Sequence, residues 1–183
     1  VKFRVISDNG KLAGMCDLEK THFIIWTTTT WTLPGNLAIA LNPDEYYAVI
    51  SADNGEYYIV AEALAEKTMS AGGIASYNIA GRLKGSEFEY MKAKHPFLDR
   101  ESVVVNADYV TMDSGTGCVH TAPGFGADDY MTCRKYNIDI IVPVDDRGSQ
   151  TEDAGKFAGM YYADSNDAIL ADLKESGARF ASS

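Results

Sequence analysis

Tyr46-Tyr47-Ala48-Val49-Ile50-Ser51-Ala52-Asp53-Asn54-Gly55-Glu56-Tyr57-Tyr58-Ile59-Val60 sets two aromatic and β-branched runs around an Asp-Asn-Gly turn. Residues of that kind favour a pleated, half-buried surface, and Asn-Gly tolerates the positive φ angles of a tight reversal. The spacing predicts strands over 46–51 and 57–60 joined as a hairpin. Upstream, Lys2 to Ser7, His22 to Thr27 and Ala38 to Leu41 read as further strands, with Asp8-Asn9-Gly10 as a turn. Downstream, Ala61 to Ser70 has helix formers stopped by Gly72-Gly73. Ile74 to Ala80, Ser102 to Asn106, Tyr109 to Met112, Gly117 to Thr121 and Ile138 to Val144 read as strands. Ala127 to Tyr136 and Ser165 to Glu175 read as helices, the second capped by Asp164 or Ser165 and closed by Gly177. The pattern predicts one mainly β domain of α+β class over residues 1–183, a closed or nearly closed β-barrel with peripheral helices.

The bulk composition fits a self-sufficient folded domain: 183 residues with 46% hydrophobic and 23% charged side chains can bury a core without staples. No apolar run approaches the roughly 18 to 20 residues of a membrane span, so no membrane association and a cytoplasmic setting are expected. Cys16, Cys118 and Cys133 form no CxxC pair, which argues for free thiols rather than a disulfide framework or zinc site. A net charge of −10 disfavours a domain that grips a nucleic-acid backbone alone, because such binders cluster Lys and Arg against phosphates. The chain starts with Val inside a strand-like run, so it is expected to be a piece of a larger protein with its two ends close together.

Two segments carry chemistry. Trp26-Thr27-Thr28-Thr29-Thr30-Trp31-Thr32-Leu33-Pro34-Gly35-Asn36 concentrates hydroxyls where a strand enters a Pro-Gly loop, where they can hold a water or a ligand's sugar and ester oxygens. On composition alone the same residues also describe a β-rich edge. Gly115-Thr116-Gly117-Cys118-Val119-His120-Thr121-Ala122-Pro123-Gly124-Phe125-Gly126-Ala127-Asp128-Asp129-Tyr130 runs from strand through glycine-rich loop to helix start, bringing backbone and carboxylates near a ligand. Its glycines match neither GxGxxG nor a phosphate loop, which disfavours nucleotide triphosphate binding. Taken singly, Asp128 and Asp129 are also ordinary helix-start acids, and His120 an ordinary strand histidine.

Together the segments resemble the editing domain of isoleucyl-tRNA synthetases, in which a threonine-rich peptide faces a Gly-Thr-Gly-x-Val-His-x-Ala-Pro strand and loop ending in aspartate. The likeness continues through Val105 to Thr111, Lys135-Tyr136 and Pro143. Sister domains for valine and leucine have a Thr-Thr-Arg-Pro-like first peptide and lysine or methionine where His120 stands, which makes those readings secondary. Thr30 stands where the family usually has proline, a change that loosens φ and adds a donor. The synthetase signatures His-x-Gly-His and Lys-Met-Ser-Lys-Ser are absent, so no amino-acid activation is expected of this chain.

The resemblance implies the class I synthetase editing fold and hydrolysis of valine misjoined to isoleucine tRNA, with valyl-adenylate as a further candidate substrate. It assigns Thr27, Thr28, Thr29 and Thr32 to substrate and water positioning, and Asp129 to the substrate's α-ammonium. Trp26, Asn36 and His120 become pocket residues, the histidine being the wall that excludes isoleucine. No cofactor or metal is implied here, since ATP and magnesium would serve the parent synthetase. The expected partners are the acceptor end of isoleucine tRNA and the rest of the parent, with the domain a monomer. A cysteine nucleophile at Cys118 with His120 as base is a conceivable alternative. Two others are a non-catalytic module binding the tRNA end, and a metal hydrolase using His22, His95 and His120, whose spacing matches no metal motif.

Overall fold

The hairpin at residues 46–60 forms as read. The computed structural model describes residues 1–182, with β4 (Tyr46–Ala52) and β5 (Tyr57–Ala61) paired antiparallel from Tyr47↔Ala61 to Ser51↔Tyr57. The other strands are β1 (Lys2–Ser7), β2 (Thr21–Ile24), β3 (Ala38–Leu41), β6 (Tyr77–Lys84), β7 (Lys92–Lys94), β8 (Glu101–Asn106) and β9 (Val119–Thr121). Among the described residues three α-helices complete the fold: α1 (Ala65–Ala71), α2 (Ala127–Lys135) and α3 (Tyr162–Ser176).

The strands run in the order β6-β4-β5-β2-β1-β7-β8-β3-β9. Pairing is antiparallel except for β2 with β5 and β3 with β8. A register irregularity between Val5 and Ser7 lets β1 serve both halves of the sheet. Alternation sorts the buried side chains by face: Tyr47 and Val49 of β4 enter the main core, while Ala48 and Ile50 meet Ala65 and Met69 of α1. In β3, Ile39 and Leu41 join the main core, and Ala38 and Ala40 face Cys133 of α2. Both strands are covered on both sides, which explains their unbroken apolar runs.

The mixed, mainly β reading holds, but the strands form an open series rather than the expected closed barrel. Among the described residues the terminal strands β6 and β9 do not pair with each other, although an isolated Trp26↔Val119 bridge ties β9 to the segment that follows β2. Two expected strands are irregular. Residues 109–112 turn instead, with Val110 N–H on the Ala107 carbonyl and the Val110 carbonyl taken by Asn42. Residues 138–144 keep Ile140 and Val142 exposed and find no ladder, pairing only in a bridge of Val144 with Gln150. The strand expected at 74–80 begins at Tyr77 and runs to Lys84, and α3 starts at Tyr162 instead of Ser165. Ser165 is buried inside the helix, its hydroxyl donating to the Tyr162 carbonyl rather than capping the end. The chain ends do lie together, since Lys2 N–H donates to the Ala178 carbonyl at 2.7 Å.

Candidate functional site

Three neighbouring strands build the centre of the site. β3 lies between β8 and β9, and its register sets Ala38 against Val103 on one side and Thr121 on the other, with Ile39 opposite His120. Asn36, just before β3, thereby meets His120 of β9 and Ser102 of β8. The Asn36 amide nitrogen reaches the Ala38 carbonyl at 3.1 Å and His120 Nδ1 at 2.8 Å, while Ser102 Oγ donates to Asn36 Oδ1. Because a carbonyl can only accept, the Ala38 contact fixes which end of the amide is nitrogen. His120 Nδ1 must then accept, so the ring proton sits on Nε2 and points at Thr32 Oγ1, 3.0 Å away. Thr32 in turn donates to the Thr29 carbonyl at 3.1 Å.

This directed line from Ser102 through Asn36 and His120 to Thr32 and Thr29 holds a neutral imidazole. Burial drives the His120 pKa down to about 4, because the charged ring would lose its hydration. With both nitrogens occupied, His120 has no lone pair to offer as a base at neutral pH. Cys118 does not supply a nucleophile beside it. The thiol is buried, contacts the Ile59 carbonyl at 3.6 Å and has its pKa raised by burial, the opposite of an activated cysteine.

The Gly-Thr-Gly turn before β9 has a packing cause. Gly115 and Gly117 have φ of +75° and +80°. A Cβ on Gly117 would fall 2.4 Å from Ala61 Cβ. Ala61 N–H takes the Thr116 carbonyl at 2.8 Å, and the buried Tyr47 hydroxyl donates to the Gly117 carbonyl at 2.5 Å. Farther on, Gly124 lets the loop touch the backbone of Ile141, and Phe125 packs edge-on against Trp31 at 5.1 Å. The glycine loop therefore seats directly on the threonine peptide.

Asp129, in the first turn of α2, uses Oδ2 to accept the Ala122 N–H at 2.8 Å, closing the glycine loop. Its own N–H also bonds the carboxylate, and no side chain of the described residues donates to it. Burial raises its pKa, with repulsion from Asp128 adding and the Ala122 bond opposing. Asp128 is exposed. A half-buried carboxylate held only by backbone N–H groups and facing no cation is suited to a cation partner.

The threonines divide. Thr32 joins the histidine line, whereas Thr27 turns on itself, its hydroxyl bonding the Thr29 carbonyl and N–H at 2.9 and 3.2 Å. Trp26, Thr27, Thr28 and Thr30 line a cavity of about 770 Å³ that also holds Lys67 and Arg179, and reaches neither His120 nor Asp129. Thr28 and Thr29 are exposed. Neither Lys67 nor Arg179 is in an ion pair among the described residues. Sequence reading missed Ser102 and Asn166: a lone serine in a strand and an asparagine in a helix carry no local signal, and only the tertiary pairing gives them work. His95 is placed structurally instead of as a ligand. It is buried, with Nε2 on the Leu33 carbonyl at 2.8 Å and Nδ1 accepting the Leu98 N–H at 3.1 Å. Among the described residues no group of three or more His, Cys, Asp or Glu could hold a metal, and no helix is long and apolar enough to cross a membrane.

Residues 15–176 match the family model described as leucyl-tRNA synthetase, editing domain. The chain is 52% identical over 178 residues to the isoleucine–tRNA ligase of Caldicellulosiruptor bescii, covering 97% of this chain and 19% of that protein. It is 50% identical over 177 residues to that of Petrotoga mobilis, covering 97% and 18%. Thus it spans about a fifth of the length of the relatives it matches. Among solved structures it superposes on the editing domain of P. knowlesi cytosolic leucyl-tRNA synthetase with a TM-score of 0.71 at 12% identity, over 96% of this chain and 93% of that one. That likeness shows the fold, and the half-identical relatives place the sequence beside isoleucine–tRNA ligases. The chain belongs to the aminoacyl-tRNA synthetase editing-domain family, of the isoleucine–tRNA ligase type.

Proposed function

We propose that this chain hydrolyses the ester joining valine to isoleucine tRNA and spares the isoleucyl ester. The observation that supports the reading is the Ser102–Asn36–His120–Thr32 line, which occupies both ring nitrogens of His120 and suits it to serve as a neutral wall. A pocket sized for isoleucine cannot strongly reject valine, since one methylene is worth about 1 to 3 kcal/mol, and isoleucyl-tRNA synthetase is the standing illustration of that limit. A second, smaller site resolves the problem by volume. Here the Asp129 carboxylate takes the α-ammonium, and the threonine hydroxyls and carbonyls orient water toward the ester carbon. Water adds, the tetrahedral intermediate expels the ribose oxygen, and the proton leaves with it, giving free valine and intact tRNA. Valyl-adenylate presents the same acyl group and is a second substrate of this reading.

Lys67 and Arg179, in no ion pair among the described residues of an acidic chain, offer the phosphates of the tRNA end a place beside the threonine peptide. The remainder of the parent synthetase supplies most tRNA affinity, and its ATP and magnesium belong to the aminoacylation site. The adjacency of Lys2 and Ala178 suits a monomeric domain set into that cytoplasmic parent. The leucine-type alternative suggested by the family model is disfavoured by His120 and by the half-identical isoleucine relatives.

The test is a pair of variants. Asp129→Ala should lower valyl ester hydrolysis by at least about 100-fold, as loss of a buried charge-assisted contact does, whereas Asp128→Ala should stay within about threefold. Because burial raises the Asp129 pKa, wild-type activity should fall with acid from above the usual carboxylate range. Equal losses in the two variants contradict the assignment.

A further inference from the structure

The threonine peptide is attached to the rest of the molecule at its middle by side chains from the far end of the sequence. Trp31 N–H donates to Asn166 Oδ1 at 2.9 Å, and its carbonyl accepts Gln150 Nε2 at 2.9 Å. Thr30 Oγ1 lies 3.0 Å from the Asn166 carbonyl and 3.1 Å from Asn166 Oδ1. The Trp31 ring packs against Tyr162 of α3 at 4.9 Å. By contrast, the Thr27–Thr29 bonds run within the peptide and anchor it to nothing.

Both anchors sit in packed structure. Gln150 is buried, its N–H on the Met160 carbonyl and its own carbonyl accepting the Gly159 N–H, each at 2.7 Å. Its side-chain nitrogen also meets the buried Ser165 hydroxyl at 3.1 Å. Asn166 lies in the second turn of α3, whose Ile169 and Leu173 are fully buried in the main core. The position of Thr27 to Thr32 is thus referred to a helix docked on the core rather than to the loop itself.

We infer that Asn166 and Gln150 are positioning residues for ester hydrolysis, clamping Trp31 by its N–H and its carbonyl so that the threonine peptide keeps its place against His120. This rests on the reading above that the threonine peptide orients water and substrate. A displacement of about 1 Å in such a site is enough to cost about 100-fold in rate, and loss of either clamp frees the middle of the peptide. The three contacts from residues 30 and 31 use Asn166 oxygens only, two of them Oδ1 and one the main-chain carbonyl, and its amide nitrogen bonds no described residue. Aspartate can therefore replace asparagine, whereas alanine cannot.

The experiment compares wild type, Asn166→Ala, Asn166→Asp and Thr30→Val in valyl ester hydrolysis on isoleucine tRNA, with amide hydrogen exchange at Trp31 measured on the same proteins. Asn166→Ala should lower kcat by about 10- to 100-fold with KM within about threefold, and Trp31 N–H should exchange at least about tenfold faster. Asn166→Asp should restore both, and Thr30→Val should lower kcat by a smaller factor. A folded Asn166→Ala with wild-type kcat and unchanged Trp31 exchange overturns the clamp, as does an Asn166→Asp as impaired as the alanine variant. Should Asn166→Ala fail to fold, Thr30→Val and Asn166→Asp decide on the same criteria. A wild type inactive on the valyl ester would overturn the functional reading alone, because the exchange result tests the clamp without reference to catalysis.

Discussion

At the scale of single residues, His120 carries the specificity argument. Its Nε2 proton is committed to Thr32 and its Nδ1 lone pair to Asn36, so in the proposed function its contribution is shape rather than proton transfer. His120→Ala should therefore admit one more methylene and create isoleucyl ester hydrolysis, with valyl hydrolysis falling less than about tenfold. A general base would behave otherwise: truncation would depress both esters by a factor of about 100 to 10,000 and remove a limb of the pH profile near neutrality. Rates for both esters across pH separate the two. The histidine, the aspartate and the threonines were legible as types in a pattern, because the two motifs are long and ordered. Their division of labour was not. That Thr32 alone among the threonines touches His120, and that Ser102 sets the Asn36 amide, depends on strand register that no local pattern encodes.

Among elements, the strands that the hydrophobic pattern marks are those covered on both faces, β3, β4 and β5, whose bounds the sequence predicts to within a residue. The segments at 109–112 and 138–144 have equal β propensity yet lack a partner edge, and propensity without a ladder partner does not make a strand. Missed short strand β7, Lys-Ala-Lys, is held by pairing with β1 and β8 instead of by its own composition. The Gly-Thr-Gly turn reads in sequence as a ligand loop, and the structure gives it a packing role as well. Gly117→Ala would force a left-handed φ on alanine and drive its Cβ into Ala61. The variant should lose about 2 kcal/mol or more of stability. Chemical denaturation checks this, and a loss under about 0.5 kcal/mol would mean the turn relaxes freely.

For the molecule as a whole, the open nine-strand sheet sets the candidate site at the β9 end of the series, where β9, the glycine loop and the threonine peptide meet. Its acid response follows from two histidines kept neutral. Burial lowers His95 to about 3 and His120 to about 4. An unfolded histidine titrates near 6.5, so between these values the unfolded chain binds protons that the folded one refuses. The stability contributed by this pair should be intact above about pH 6.5 and fall as pH drops below it, by about 2 to 4 kcal/mol at pH 5. Denaturant midpoints at pH 7 and pH 5 measure this, and a flat profile would show that the histidines open to solvent without cost. The most direct test of the central claim is single-turnover deacylation of isoleucine tRNA carrying either valine or isoleucine, at saturating protein. The account predicts rapid release of valine and isoleucine release at or near the uncatalysed rate; equal release of both amino acids, or release of neither, would contradict it.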